Sequence, residues 1–165
     1  MAVNDSRAET LCPIARAESI VGDRWTVLVL RELFMGNHRY DEIQAQTGGT
    51  PQMVATRLKS LEADGLLERR LYNERPKRYE YHLTPKGEAF YPVVIALRAW
   101  GETWCKTAEE GLAVNMTHTT CNHNAGLGPL CAHCGEVLRR EDLISQPQPA
   151  YAAERQARRE AFKAK

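Results

Sequence analysis

Apolar residues along this chain recur at two different spacings, and the changes between them mark out its elements. In residues 50–64, Val54, Leu58 and Leu61 share one face of a helix, while Gln52, Thr56 and Lys59 fall on roughly the opposite side. Thr50 suits the N-cap, Pro51 the first helical position, where its missing amide hydrogen costs nothing, and Gly65 the stop. Beyond Gly65, LLERRLYN and RYEYHLT alternate and carry aromatic residues. The charged, breaker-rich tip Glu74, Arg75, Pro76 and Lys77 lies between them, which predicts a two-stranded hairpin. Upstream, residues 12–21 read as a first helix and RWTVLVLRELFMG as a second, capped by Asp23 and closed by Gly36. Trp25, Val27, Leu28, Leu30, Leu33 and Phe34 nearly surround the second helix, which places it at the centre of the core. Residues 39–46 form a short third helix with Tyr40 and Ile43 inward, and TGGT at 47–50 joins it to the helix after Thr50. Past the hairpin, Thr84 and Pro85 open a helix expected to continue through GEAFYPVVIALRAWGETWCKTAEEG with a kink at Pro92. Its stripe of Phe90, Val93, Val94, Leu97, Trp100 and Trp104 is wider than the outside of a small domain needs. We read it as a dimer interface shared with the first helix rather than as simple packing on the core.

Length and composition narrow the class. With 165 residues there is room for one domain with a real core plus an appendage, and not for two ordinary domains. No apolar run approaches bilayer length, and the start MAVNDSRAET lacks a basic segment followed by an apolar core. No secretory signal, no membrane partner and a cytoplasmic location are the expectations. The five cysteines are then thiols or metal ligands rather than structural disulfides. A net charge of +1 gives no bulk attraction to nucleic acid, so local charge has to supply it. Residues 69–86 hold six basic residues (Arg69, Arg70, Arg75, Lys77, Arg78, Lys86) against two acidic ones (Glu74, Glu80), enough to neutralise several phosphates. The plainer reading of such a run is a solvated hairpin surface.

A helix-turn-helix followed by a basic-tipped hairpin is the order of parts in a winged helix-turn-helix. The predicted class is mainly α with a small β-hairpin wing, dimerising through the N- and C-terminal helices of the domain. Several motifs in one order carry a resemblance to a known family: CPIARAESIVGDRWTVLVLREL, then RYDEI, then RLKSLEADGLLERRLYNERPKRYEYHLTPKGEAF, then the segment from Trp100 to Trp104. Residues 12–111 closely resemble the HxlR-type winged-helix transcriptional regulators of bacteria, relatives of the MarR group. The resemblance implies a homodimer that sets the helix after Thr50 in the major groove of double-stranded DNA and the hairpin tip against phosphate or the minor groove. Thr50, Gln52, Thr56 and Lys59 are then the residues facing the groove, Arg57 is shared between groove and phosphate, and Arg75, Lys77 and Arg78 position the backbone. The expected function is a sequence-specific regulator, a repressor acting at a pseudo-palindrome. The rival class is a winged-helix protein-interaction module without DNA binding. No nucleophile–base pair, phosphate loop or placed carboxylate pair points to an enzyme.

The cysteines add candidate chemistry at both ends. Cys12 stands just before a helix start, where partial positive charge favours thiolate, with Arg16 one turn onward. Some family members that sense electrophiles or oxidants resemble this chain in having a cysteine at the corresponding place, which makes Cys12 a candidate redox sensor for an oxidant or small-molecule effector. An unreactive packing cysteine is the alternative. Beyond residue 111 the composition changes. His118 with Cys121, and Cys131 with Cys134, are two pairs with two residues between their members, separated by nine residues (122–130) containing Gly126, Gly128 and Pro129. A tight turn of that length aims both side chains at one ion, and Gly135 eases the second turn. Zinc held by His118, Cys121, Cys131 and Cys134 is the first reading, with His123 and His133 as substitutes for His118. A Cys131–Cys134 thiol–disulfide couple and an unliganded tail stay open. The expected organisation is an N-terminal arm (1–11), the winged-helix domain (12–111), a Cys/His extension forming a zinc knuckle (112–145), and a linker with a basic tail (146–165), the linker being QPQP at 146–149.

Overall fold

The computed structural model describes residues 10–164. Most of the N-terminal arm expected for residues 1–11 therefore lies outside the described residues. The fold is mainly helical with a small antiparallel hairpin, and it falls into two compact units that divide after Gly87.

The first unit contains α1 (Pro13–Val21), α2 (Thr26–Phe34), α3 (Tyr40–Thr47), α4 (Pro51–Ala63) and the hairpin β1 (Leu67–Glu74) and β2 (Lys77–Leu83). Val29, Leu30 and Leu33 of α2, Ile43 of α3, and Val54, Leu58 and Leu61 of α4 meet in its core, closed by Leu66 and Leu67. Each such side chain contributes about 1.5–3 kcal/mol by leaving water. The helix starts follow local chemistry. Asp23 Oδ1 accepts from the backbone N–H of Trp25 at 2.8 Å and of Thr26 at 3.2 Å, so Asp23 caps α2 as its position predicts. Between α3 and α4 the chain turns at Gly48, whose φ of 69° lies in the left-handed region that glycine enters without penalty. The short α5 (Pro85–Glu88) presses against the hairpin so closely that a Cβ on Gly87 would stand 2.1 Å from the Leu66 carbonyl oxygen.

The single helix expected from Thr84 onward is instead two helices, α5 and α6 (Tyr91–Trp104). Pro92 falls in the first turn of α6 rather than at a kink. It has no N–H to give the Glu88 carbonyl and its ring clashes there, so the first helix stops and a new one begins where the lost donor costs nothing. The helix does not continue to Gly111 either: α6 ends at Trp104, and a 3₁₀ turn at Ala108–Glu110 follows.

The second unit carries α6 and an antiparallel sheet of β3 (Val114–His118), β4 (His123–Asn124) and β5 (Leu143–Pro147) in the order β4-β3-β5. Val114, Met116 and His118 alternate inward along β3 and meet Ala125, Cys131 and Leu138 in a small core. The stretch read from composition as a linker is corrected here. Gln146 and Pro147 pair with Asn115 and Val114 at the end of β5, and Pro149 opens α7 (Pro149–Lys163). Proline is tolerated at an edge strand and in the first turn of a helix, the two places it occupies here. The tail is thus helical up to Lys163, with Arg155 buried against Tyr151 and Arg158 paired to Glu154 at 2.6 Å.

Candidate nucleic-acid interface and metal centre

The surface of α4 follows from its phase. Thr50 Oγ1 accepts the Met53 N–H at 3.3 Å and fixes the helix start, while the hydroxyl of Tyr40 donates to the Pro51 carbonyl at 2.6 Å and ties that start to α3. With Val54, Leu58 and Leu61 buried, Gln52, Thr56 and Lys59 are exposed together on the outer side. Thr56 donates its hydroxyl proton to the Gln52 carbonyl at 2.8 Å, which leaves its own Oγ1 as an acceptor on the surface. Arg57 sits differently. Its guanidinium reaches back to Asp23 Oδ2 at 3.3 Å, so it braces α4 against the start of α2.

The basic run divides in the same way. Arg69 pairs with Glu62 at 2.9 Å, Arg70 with Glu68 at 2.7 Å, and Lys86 donates to the Asp64 carbonyl at 2.6 Å at the end of α4. Half of the six-residue cluster is therefore partnered within the first unit, through contacts on its surface. Arg75, Lys77 and Arg78 are exposed at the hairpin tip and make no ion pair among the described residues. The hairpin stem is held to α3 by residues the sequence did not single out. Arg39 pairs with Glu80 at 3.2 Å and lies over the Tyr72 ring, and that hydrogen bond from Arg39 holds the Glu80 carboxyl below its ordinary pKa. His38 and Tyr81 exchange a backbone bond, Tyr81 N–H to His38 O at 2.8 Å.

Cys12 is exposed just before α1, as expected, but its side chain does not cap the helix. The Arg16 Nε donates to the Thr10 carbonyl, so that cation is directed to backbone rather than to the thiol.

The two metal-ligand pairs do converge. One ligand atom from each of His118, Cys121, Cys131 and Cys134 lies within 4.8 Å of all the others. His118 Nδ1 is 3.5 Å from Cys121 Sγ and 3.3 Å from Cys134 Sγ, and Cys121 Sγ is 3.7 Å from Cys131 Sγ. Thiolates at about 2.3 Å and an imidazole at about 2.0–2.1 Å from one tetrahedral ion stand about 3.8 Å apart, S to S, and about 3.6 Å apart, S to N. The three shortest contacts of the quartet are therefore within about 0.3 Å of the edges of a zinc tetrahedron. Both pairs are built alike. The residue after the second ligand has a left-handed backbone, Asn122 at φ 57° and Gly135 at φ 76°. In each case its N–H closes the turn on the first ligand's carbonyl, Asn122 to His118 at 2.7 Å and Gly135 to Cys131 at 2.9 Å. The backbone N–H of Cys134, helped by that of His133, lowers the Cys131 thiol to about 6, which favours the thiolate that a metal requires. His118 is 1% exposed, and its other ring nitrogen lies 3.9 Å from Glu136 Oε2, beyond hydrogen-bonding distance. His123 and His133 do not substitute for it. They are exposed and stack on each other at 3.5 Å.

Comparison with known proteins agrees with this architecture. Residues 20–109 match the HxlR-like helix-turn-helix family. The chain is 33% identical over 140 residues to the uncharacterised HTH-type transcriptional regulator Rv3095 of Mycobacterium tuberculosis (strain H37Rv), covering 85% of this chain and 88% of that one. A match of that length does not fit within residues 1–109, so it runs into the extension. Among solved structures, the transcription factor PA1607 superposes with a TM-score of 0.67 at 31% identity, covering 83% of this chain and 95% of that one. The redox regulator HypR in its reduced form gives 0.54 at 28% identity, over 60% and 99%. With more than half of its length matched by the family and a regulator as relative across most of the rest, the chain belongs to the HxlR-like helix-turn-helix family.

Proposed function

We propose that the protein is a cytoplasmic, homodimeric, sequence-specific DNA-binding regulator, a repressor that occupies a pseudo-palindromic operator. The observation that carries this reading is the division of labour on the first unit. Gln52, Thr56 and Lys59 stand exposed on one helix face, and Arg75, Lys77 and Arg78 are exposed at the hairpin tip with no ion pair among the described residues. Polar side chains on such a face read base edges, and the tip neutralises phosphates. Among the described residues no helix is long and apolar enough to cross a membrane. Gel-shift titrations test the roles. Lys77→Ala should weaken binding to all duplexes alike and lower the slope of log affinity against log salt by about 0.9. Gln52→Ala should relax preference at one base position by about 1–3 kcal/mol. Identical behaviour of the two variants would sink the assignment. The ion pairing of Arg57, Arg69 and Arg70, with a net charge of only +1, favours the rival reading as an interaction module. That reading predicts no retardation of any duplex at low salt.

The Cys/His quartet suits zinc, which supplies a structural crosslink. Four protein ligands leave no open position for a substrate, consistent with a regulator that is not an enzyme. Self-association is assigned to α1 and α6, whose Ile14, Val93, Leu97, Trp100 and Trp104 are all at least half exposed. Cys12 remains the candidate entry point for an oxidant effector. Treating wild type and Cys12→Ser with diamide while following operator binding decides this, because equal responses remove Cys12 from the mechanism.

A further inference from the structure

Helix α6 has two opposite faces. At 100° per residue, Tyr91, Ile95, Arg98 and Glu102 cluster on one side, and Val93, Leu97, Trp100 and Trp104 cluster about half a turn away. The first side is bolted to the sheet that carries the metal ligands. Arg98 donates through Nη2 to the Val114 carbonyl at 2.6 Å and through Nη1 to the Gly126 carbonyl at 3.4 Å. Glu102 Oε1 accepts the Ala113 N–H at 2.9 Å, and its other oxygen pairs with Lys106 at 3.0 Å. Val114 opens the strand that ends in His118, and Gly126 lies between the two ligand pairs. From Gly126 the loop is tied on to the second knuckle through Ala125 and Ala132, the Ala132 N–H reaching the Ala125 carbonyl at 3.0 Å. Burial of the Arg98 guanidinium lowers its pKa, because removal from water disfavours the charged form.

We propose that the Cys/His cluster is a metal-dependent support for α6, so that metal occupancy decides whether this helix is held in place. The sheet behind α6 has strands of five, two and five residues and a core of a few side chains. Elements that small do not hold a fold by burial alone, and a metal crosslink is the usual remedy. Without it the carbonyls that Arg98 grips and the Ala113 N–H that Glu102 accepts have no fixed geometry, and α6 loses its anchor. The opposite face, with Trp100 58% and Trp104 73% exposed, is the one assigned above to self-association. The cluster would thus act on the dimer without touching it. This inference rests on the metal and self-association readings, and its test separates their failures from its own.

The experiment uses the full chain, purified without chelator, then stripped with a chelator and reloaded with zinc. Metal content, hydrogen exchange and sedimentation are measured at each stage. Stripping should raise amide exchange across residues 91–104 by roughly tenfold or more, leave residues 51–63 protected, and shift the dimer to monomer, with zinc reversing all three. Full metal loading with unchanged exchange in 91–104 after stripping overturns the support and leaves the metal reading standing. Equal deprotection of 51–63 overturns it as well, since the metal would then hold the whole chain. A chain that carries no stoichiometric metal refutes the metal reading and the support together. A chain that is monomeric when loaded refutes self-association, while exchange still decides the support. Arg98→Met provides a second arm. It should keep its metal yet show the raised exchange of 91–104, and wild-type exchange in a metal-loaded Arg98→Met overturns the proposal.

Discussion

Replacing His118 by alanine is expected to abolish stoichiometric zinc binding and to melt residues 114–147 while the helix-turn-helix core stays folded. His118 is the deepest of the four candidate ligands, at 1% exposure, and it closes β3 on the inner side of the sheet. Its loss removes one coordinate bond and leaves an unfilled space among Cys121, Cys131 and Cys134. Structural zinc contributes about 10–16 kcal/mol to the folding of zinc-finger peptides at neutral pH, far more than the few buried side chains of this sheet can replace. Core helices of the first unit, built on Leu30, Leu33, Leu58 and Leu61, do not depend on that ion. Colorimetric zinc titration and hydrogen exchange read both halves of the prediction. His118→Cys should retain the ion, because a fourth thiolate satisfies the same tetrahedron. His123→Ala and His133→Ala should retain it too, since these rings stack on each other outside the quartet. One zinc per chain in His118→Ala would refute the assignment.

The second large effect is expected at Glu32. This carboxylate is fully buried in α2, a helix whose other residues are apolar except Thr26 and Arg31. Its Oε1 accepts from Arg31 Nε at 2.8 Å and Nη2 at 2.7 Å, and its Oε2 accepts from the Asn37 amide at 2.6 Å. Arg31 Nη2 also reaches the Gln46 carbonyl at 3.3 Å, so the group links α2 to the end of α3. Glu32→Ala leaves the Asn37 amide and the Arg31 guanidinium without their acceptor in a place water does not reach freely. Breaking such a pair from one side costs about 3–5 kcal/mol. For a chain of this size that is a fall in Tm of roughly 10 °C, measurable by circular dichroism. The double change Arg31→Leu with Glu32→Met should recover part of the loss, because the unpaired charge is then gone. A loss below about 1 kcal/mol in Glu32→Ala would mean that the carboxylate contributes no net pairing.

The helix-turn-helix was legible in the sequence because its determinants are local. A cap at Thr50, a proline at the next position, a glycine stop and an apolar period of three and four residues act within one or two turns, and the structure reproduces each. The metal quartet was legible for a similar reason, since two-residue spacing fixes where a knuckle aims its side chains. Its ligand choice was less so: only the structure separates His118 from His123 and His133, because burial on the inner side of β3 is a property of the sheet.

Charge was the least legible feature. The run from Arg69 to Lys86 counts six cations, yet Glu62, Glu68 and the Asp64 carbonyl remove three of them from consideration. Arg57, read as a DNA contact, is claimed by Asp23 from 34 positions away. Likewise QPQP has the composition of a linker, and only pairing with β3 makes part of it a strand.

By itself, then, the sequence determined the elements of the first unit and their order, the inward face of α4 and the four residues able to meet at a metal. Those follow from backbone sterics and side-chain periodicity, which act between near neighbours. Which cations stay unpaired, where the long helix breaks, how a buried carboxylate is satisfied and what grips the back of α6 were decided by tertiary structure. Each depends on groups distant in sequence arriving within about 3 Å of one another, and hydrogen bonds and ion pairs act only over such distances.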